Sequence, residues 1–148
     1  MSDKTLTTEH TEATEPRKAL NELSEIVIGC AIEVHRTLGP GLLESTYEMC
    51  LCRELSLRRI PFERQKPIPV IYTGVKLDCG YRADLIVERR LLVEIKSIEQ
   101  TSAIHDAQLL SYLKLSGMQV GLLINFNVRI LTHGLHRKVV GPPYEVSL

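Results

Sequence analysis

The sequence predicts an α/β domain, a mixed β-sheet flanked by helices in the order α-α-β-β-β-α-β-β. Three observations carry that prediction. The first third repeats apolar residues at helical spacing. Two runs of branched apolar residues are then joined by a short charged turn. A helical stretch links the second run to a further, nearly continuous apolar run. Such a crossover makes the strands it joins parallel and right-handed, whereas a short turn makes them antiparallel, so the sheet is mixed. At 148 residues the chain suits one domain with a real core, and no internal repeat divides it.

Residues 1–16 are polar, rich in Thr and Glu, and are expected to form a disordered tail before a single domain over residues 17–148. Leu20, Leu23, Val27, Cys30, Ala31, Val34 and Leu38 recur at helical spacing and mark an amphipathic helix over residues 17–38. Gly39-Pro40-Gly41 stops it, with Gly39 free to adopt the left-handed conformation and Pro40 unable to continue. A second helix follows from Leu42 to Arg58, its apolar stripe formed by Leu43, Tyr47, Cys50, Leu51 and Leu55. Glu44 falls at the border of that stripe, one turn before Glu48.

Glu63 to Tyr72 reads as a first strand, confined to a sheet edge because Pro67 and Pro69 cannot donate to a ladder. Thr73-Gly74 turns the chain, Val75 to Leu77 begins the return, and Asp78-Cys79-Gly80 bends it before the strand Tyr81 to Val87. A turn within residues 88–90 leads into Leu91-Leu92-Val93-Glu94-Ile95-Lys96. Ser102 is a suitable N-cap for a helix over Ala103 to Ser116, which Gly117 closes. Val120 to Phe126 is a buried strand, and a last strand runs near Leu135 to Val140.

The charges balance, with 18 basic and 18 acidic side chains, which argues against a protein that coats nucleic acid through a general basic excess. No apolar run reaches the length of a membrane span, and the N-terminus lacks the apolar region of a signal peptide, so a cytoplasmic location without membrane contact is expected. Cys30, Cys50, Cys52 and Cys79 include no C-x-x-C pair, and free, mostly buried thiols are expected.

The chemistry lies where charge interrupts the apolar strands. Glu94 and Lys96 are two apart and point to the same side of a strand, and Asp84 lies on the strand before it. Such residues are seldom buried unless paired or bound to a metal. If Arg89-Arg90 were a plain two-residue loop, Asp84 would face away from Glu94. Convergence requires an odd loop or a bulge, and one of these is expected. Gln108 and Tyr112 share a face of the third helix. Asp84, Glu94 and Glu44 would make an all-oxygen site suited to Mg2+ or Mn2+, and Lys96 could orient a water or stabilise charge growing on phosphorus. That combination hydrolyses phosphodiesters. On the residues alone, Glu44 reads first as a boundary glutamate whose stem lies on the core while its head stays wet, and Asp84 could form an ion pair with Lys96 or Arg82.

Gly80-x-x-x-Asp84, Glu94-x-Lys96 and Gln108-x-x-x-Tyr112, in that order, resemble the motifs of the PD-(D/E)XK nuclease superfamily, particularly its RecB-like branch. Gly41-Leu42-Leu43-Glu44-Ser45-Thr46-Tyr47 resembles the signature of GxxExxY proteins, a bacterial group within it. The stretches Glu33 to Pro40 and Gly121 to Phe126 are similar too. The likeness spans residues 22–140, although Ala83-Asp84 stands where the superfamily nominally has Pro-Asp.

The resemblance implies a restriction-endonuclease-like core with Asp84 and Glu94 as metal ligands, Glu44 as a third acid and Lys96 as catalytic lysine. It further implies that Gln108 and Tyr112 contact phosphate or position the ligands, with Tyr47 in the first motif. Beside these, His35 is either a site residue or a local helix cap, and Arg82 either meets a phosphate or forms an ion pair. The expected activity is metal-dependent cleavage of DNA. By resemblance alone, a homodimer that cuts two strands is in keeping with the small size. The alternative is a nuclease-fold binding or assembly module with little activity of its own.

Overall fold

A computed structural model describes the backbone of residues 2–141 and the side chains of residues 19–141. Two helices, α1 (Ser2–Leu38) and α2 (Glu44–Leu57), come first. After them come β1 (Phe62–Pro67), a short pair β2 (Val70–Tyr72) and β3 (Val75–Leu77), then β4 (Arg82–Val87) and β5 (Leu91–Lys96). Helix α3 (Ala103–Ser116), β6 (Val120–Asn125), a 3-10 turn over Leu131–Gly134 and β7 (Leu135–Val139) complete the order. The backbone of α1 runs on through residues 2–16, where composition predicts a disordered tail. The side chains of residues 2–16 lie outside the described residues, and the boundary near residue 16 stands as a proposal.

The main sheet has the order β1-β4-β5-β6-β7 and is mixed, since β5 and β6 are parallel and every other pair is antiparallel. Strand β1 is at an edge, in keeping with Pro67 at its end. One expected strand breaks. The stretch over residues 63–72 divides after Pro67, and with the return bending at residues 78–80 as expected, β2 and β3 form a separate two-stranded sheet. The cause is local. Ile68 donates its N–H to the Tyr81 carbonyl at 2.8 Å, but Pro67 and Pro69 on either side have no N–H to give. On the return, Gly80 takes a φ of 82° and donates to the Asp78 carboxylate at 3.0 Å, which turns the chain back into the main sheet.

The hairpin between β4 and β5 has the odd loop that its chemistry needs. Val87 pairs with Leu91, leaving three residues, Glu88 to Arg90, between them. Glu88 and Arg89 adopt φ of 50° and 57°, and Arg90 donates to the Val87 carbonyl at 3.0 Å, closing the turn without Gly or Asn. With this register Asp84 and Glu94 fall opposite each other and on one side of the sheet.

That side faces α3. Leu109 and Leu113 of α3 pack on Ile86, Leu92 and Leu123, while Leu85, Val87, Leu91, Val93, Ile95 and Leu122 face α1 and α2 across the other side. Each fully buried side chain of this size contributes about 1.5–3 kcal/mol. A Cβ on Gly121 would lie 2.9 Å from the Leu109 side chain, so the glycine allows α3 to lie close on β6. Ser102 caps α3, with its N–H donating to the His105 ring at 2.9 Å, and Gly117 ends it at φ 74°. The four cysteines are free, and Cys79 is exposed. Among the described residues no helix is long and apolar enough to cross a membrane.

Candidate functional site

The site is a fork between two strands. The paired ladder of β4 and β5 extends only from Val87↔Leu91 to Leu85↔Val93. Beyond it the two carboxylates replace the backbone bonds. Asp84 donates its N–H to Glu94 Oε1 at 3.2 Å, and Ile95 donates its N–H to Asp84 Oδ2 at 2.7 Å. Each acid thus binds the strand that carries the other, which fixes both on rigid elements.

These acids are held against their own charge. Glu94 is only 7 % exposed. Burial, and then the charge of Asp84, push its carboxyl up to about 8, against the pull of the Asp84 N–H and of Lys96. Burial also raises Asp84, with Glu48 adding to the rise, while the Ile95 N–H, Gln65 and Lys96 oppose it. Lys96 is half-buried on the same strand and acts on both acids without forming a direct ion pair among the described residues. Its position is secured by the neighbouring strand. Phe126 donates to the Lys96 carbonyl at 2.9 Å, and buried Asn125 holds both the N–H and the carbonyl of Ile98 at 3.1 Å.

Glu44 approaches from α2. It is the first residue of that helix, where the dipole favours an acid, and it accepts the Ser97 N–H at 3.4 Å just past β5. Its charge contributes to the raised Glu94 carboxyl. Tyr47 is what holds this entry in place. Fully buried and stacked on Phe126 with centroids 4.5 Å apart, it donates its hydroxyl to the Gly39 carbonyl at 2.6 Å and accepts from the Leu42 N–H at 3.1 Å. Tyr47 therefore pins the glycine-rich turn that aims Glu44, and does not itself reach the acids.

The other expected residues divide. Tyr112 packs against the apolar cluster on the side of the sheet that carries the fork, with its ring 5.6 Å from that of Tyr81, and burial and then the charge of Glu94 raise its hydroxyl. Gln108, one turn earlier, is exposed and forms no hydrogen bond among the described residues. Arg82 is exposed at the start of β4 and forms no ion pair among the described residues. His35 is buried and its Nε2 donates to the Val128 carbonyl at 2.7 Å, joining α1 to the segment after β6. Arg64 binds Glu48 at 2.8 Å and Lys66 binds Glu63 at 2.7 Å, while Arg89 and Arg90 sit on the turn at the other end of the β4–β5 hairpin.

Two participants escape a reading by pattern. Glu48, 6 % exposed, accepts from Arg64 and from Gln65, and Gln65 also donates to Asp84. The signal for Glu48 is that it lies three before Leu51 and four before Cys52, both buried. Gln65 offers no sequence signal.

The donor chemistry suits a hard divalent cation, because a buried and a half-buried carboxylate that repel each other, with no nitrogen or sulfur ligand, are what such an ion stabilises. Among the described residues, no group of three or more His, Cys, Asp or Glu is arranged to hold a metal. The expected three-acid set is thus a converged pair, Asp84 and Glu94, with Glu44 standing off on Ser97.

The family model described as PD-(D/E)XK nuclease superfamily matches residues 21–138, most of the chain. Comparison with curated proteins and with solved structures found no match.

Proposed function

The chain belongs to the PD-(D/E)XK nuclease superfamily, and on that premise we propose that it is a divalent-metal-dependent nuclease that hydrolyses DNA phosphodiesters. Membership implies a nuclease fold and a nucleic-acid substrate, and nucleases of this superfamily typically use divalent metals. The observation that carries the reading is the convergence of Asp84 and Glu94 at the open end of the β4–β5 ladder, with Lys96 on the same strand. Asp84 and Glu94 would hold Mg2+ or Mn2+, and Glu44 would join directly or through water. When bound, such an ion supplies charge neutralisation at phosphate and a more acidic water.

The chain's own residues do the rest. The N–H groups of Asp84 and Ile95 keep both carboxylates turned into the fork. Lys96 orients the attacking water and stabilises negative charge on the phosphate. Tyr112 borders the same space and contacts the phosphate or a ligand, with Gln108 one turn outward. Arg82 lies at the mouth as a contact for the backbone. The Gly41-to-Tyr47 motif supports placement among GxxExxY proteins in the RecB-like branch, and a cytoplasmic location and a homodimer fit the same reading.

A second reading, a nuclease-fold binding module, is favoured by the engagement of Arg64 and Lys66 with acids of their own chain. Incubation of the purified protein with plasmid and linear DNA tests the two. Cutting is expected with Mg2+ or Mn2+ and not with a chelator. DNA left intact across cations and substrate forms would support the module instead.

A further inference from the structure

We propose that Gln65 is a positioning residue for Asp84, held by the Glu48–Arg64 pair; the inference rests on the reading of Asp84 and Glu94 as a cation site. The Gln65 side-chain amide donates to Glu48 Oε1 at 2.8 Å and to Asp84 Oδ1 at 3.3 Å. One NH2 group thus bridges two carboxylates that would otherwise repel across a gap. Asp84 Oδ2 is taken by the Ile95 N–H, so the bridge fixes the remaining oxygen and with it the rotation of the carboxyl group.

The far end of the bridge is anchored. Glu48 is buried on α2, and its other oxygen accepts from Arg64 Nε at 3.1 Å and Nη2 at 2.8 Å. The carboxylate that receives Gln65 is therefore itself immobile, and α2 is tied to β1 at the point where β1 faces Asp84. Arg64 and Gln65 are adjacent, so both reach Glu48 only if the strand departs from its regular alternation.

It does depart. Gln65 has a φ of 50° inside β1, a left-handed conformation that a side chain other than glycine or asparagine rarely adopts. The β1–β4 register runs Arg64↔Leu85 and then Lys66↔Ala83, with no pair at Gln65 opposite Asp84. Strain of this kind persists where the surroundings over-determine it. Here it directs the amide to the fork rather than along the edge of the sheet. Groups that hydrogen-bond to a metal-binding carboxylate commonly govern cation affinity by roughly 10–100-fold.

The test is calorimetric titration of Mn2+ into the whole protein without nucleic acid, for the parent, Gln65→Leu and Gln65→Asn. Leucine removes the amide. Asparagine keeps the amide and suits the left-handed backbone, but falls one methylene short of the bridge. Both variants are expected to bind Mn2+ at least about tenfold more weakly, with metal-free melting temperatures no lower for Asn than for the parent. Parent-like affinity in both variants would overturn the role of Gln65 while leaving the cation site standing. Absence of Mn2+ binding by the parent would overturn the cation reading itself, and this inference with it.

Discussion

Lys96→Ala is expected to reduce metal-dependent DNA cleavage by roughly 10²- to 10³-fold or more while the fold survives. The side chain is half-buried and forms no ion pair among the described residues, so its removal breaks no structural bridge. What it removes is the positive charge acting on Asp84 and Glu94 and, under the proposed mechanism, the group that orients water and stabilises the phosphate. Two readouts separate these effects. Cleavage should fall, whereas Mn2+ affinity should be kept or increased, because one competing cation has gone. If Lys96→Ala cuts DNA as fast as the parent, the assignment of this lysine is wrong.

Glu94→Gln is expected to make the metal-free protein more stable at pH 8 while abolishing cleavage. A glutamate ordinarily ionises near 4.5, and in this fold Glu94 does so only near 8. Between those values the unfolded chain has released a proton that the folded chain still holds. The stability from Glu94 is therefore fully present below about pH 4.5, falls across the interval, and is lost as pH rises through about 8. The full loss is at most about 5 kcal/mol, shared with Asp84 because the two acids titrate as a pair. Glutamine cannot ionise, yet its amide oxygen can still accept the Asp84 N–H. Thermal melts from pH 5 to 8 should fall steeply for the metal-free parent and remain flatter for the variant. Added Mn2+ should restore the parent at pH 8 and leave the variant unmoved. Parallel pH profiles would show that Glu94 is not the strained group.

The sheet and most of the fork were legible in the sequence because both follow from parity and connection length. Glu94 and Lys96 had to share a side, and the helical crossover had to make β5 and β6 parallel. The odd loop follows from the need for Asp84 and Glu94 to converge, and Glu88, Arg89 and Arg90 supply it. The separation of β2 and β3 was not legible, because it depends on where the Ile68–Tyr81 bond ends the pairing. Prolines mark such a break without locating it.

The side-chain roles were less accessible. His35 and Tyr47 carry polar atoms suited to a site, but each binds a backbone carbonyl elsewhere in the fold. Glu48 and Gln65 meet Asp84 through a contact between α2, β1 and β4 that no spacing encodes. Gln65 in particular depends on a left-handed backbone inside a strand, which the residue itself does not announce. The primary carboxylates are therefore visible as charge among apolar residues, whereas the residues that orient them emerge only from tertiary packing.

The most direct test of the cation site is calorimetric titration of Mn2+ into the metal-free protein at pH 7, in parallel with Asp84→Asn and Glu94→Gln. A binding event accompanied by proton release is expected, since Glu94 is held largely protonated at that pH, and both variants should lose that event. Absence of binding in the parent, or binding that neither substitution weakens, would contradict it.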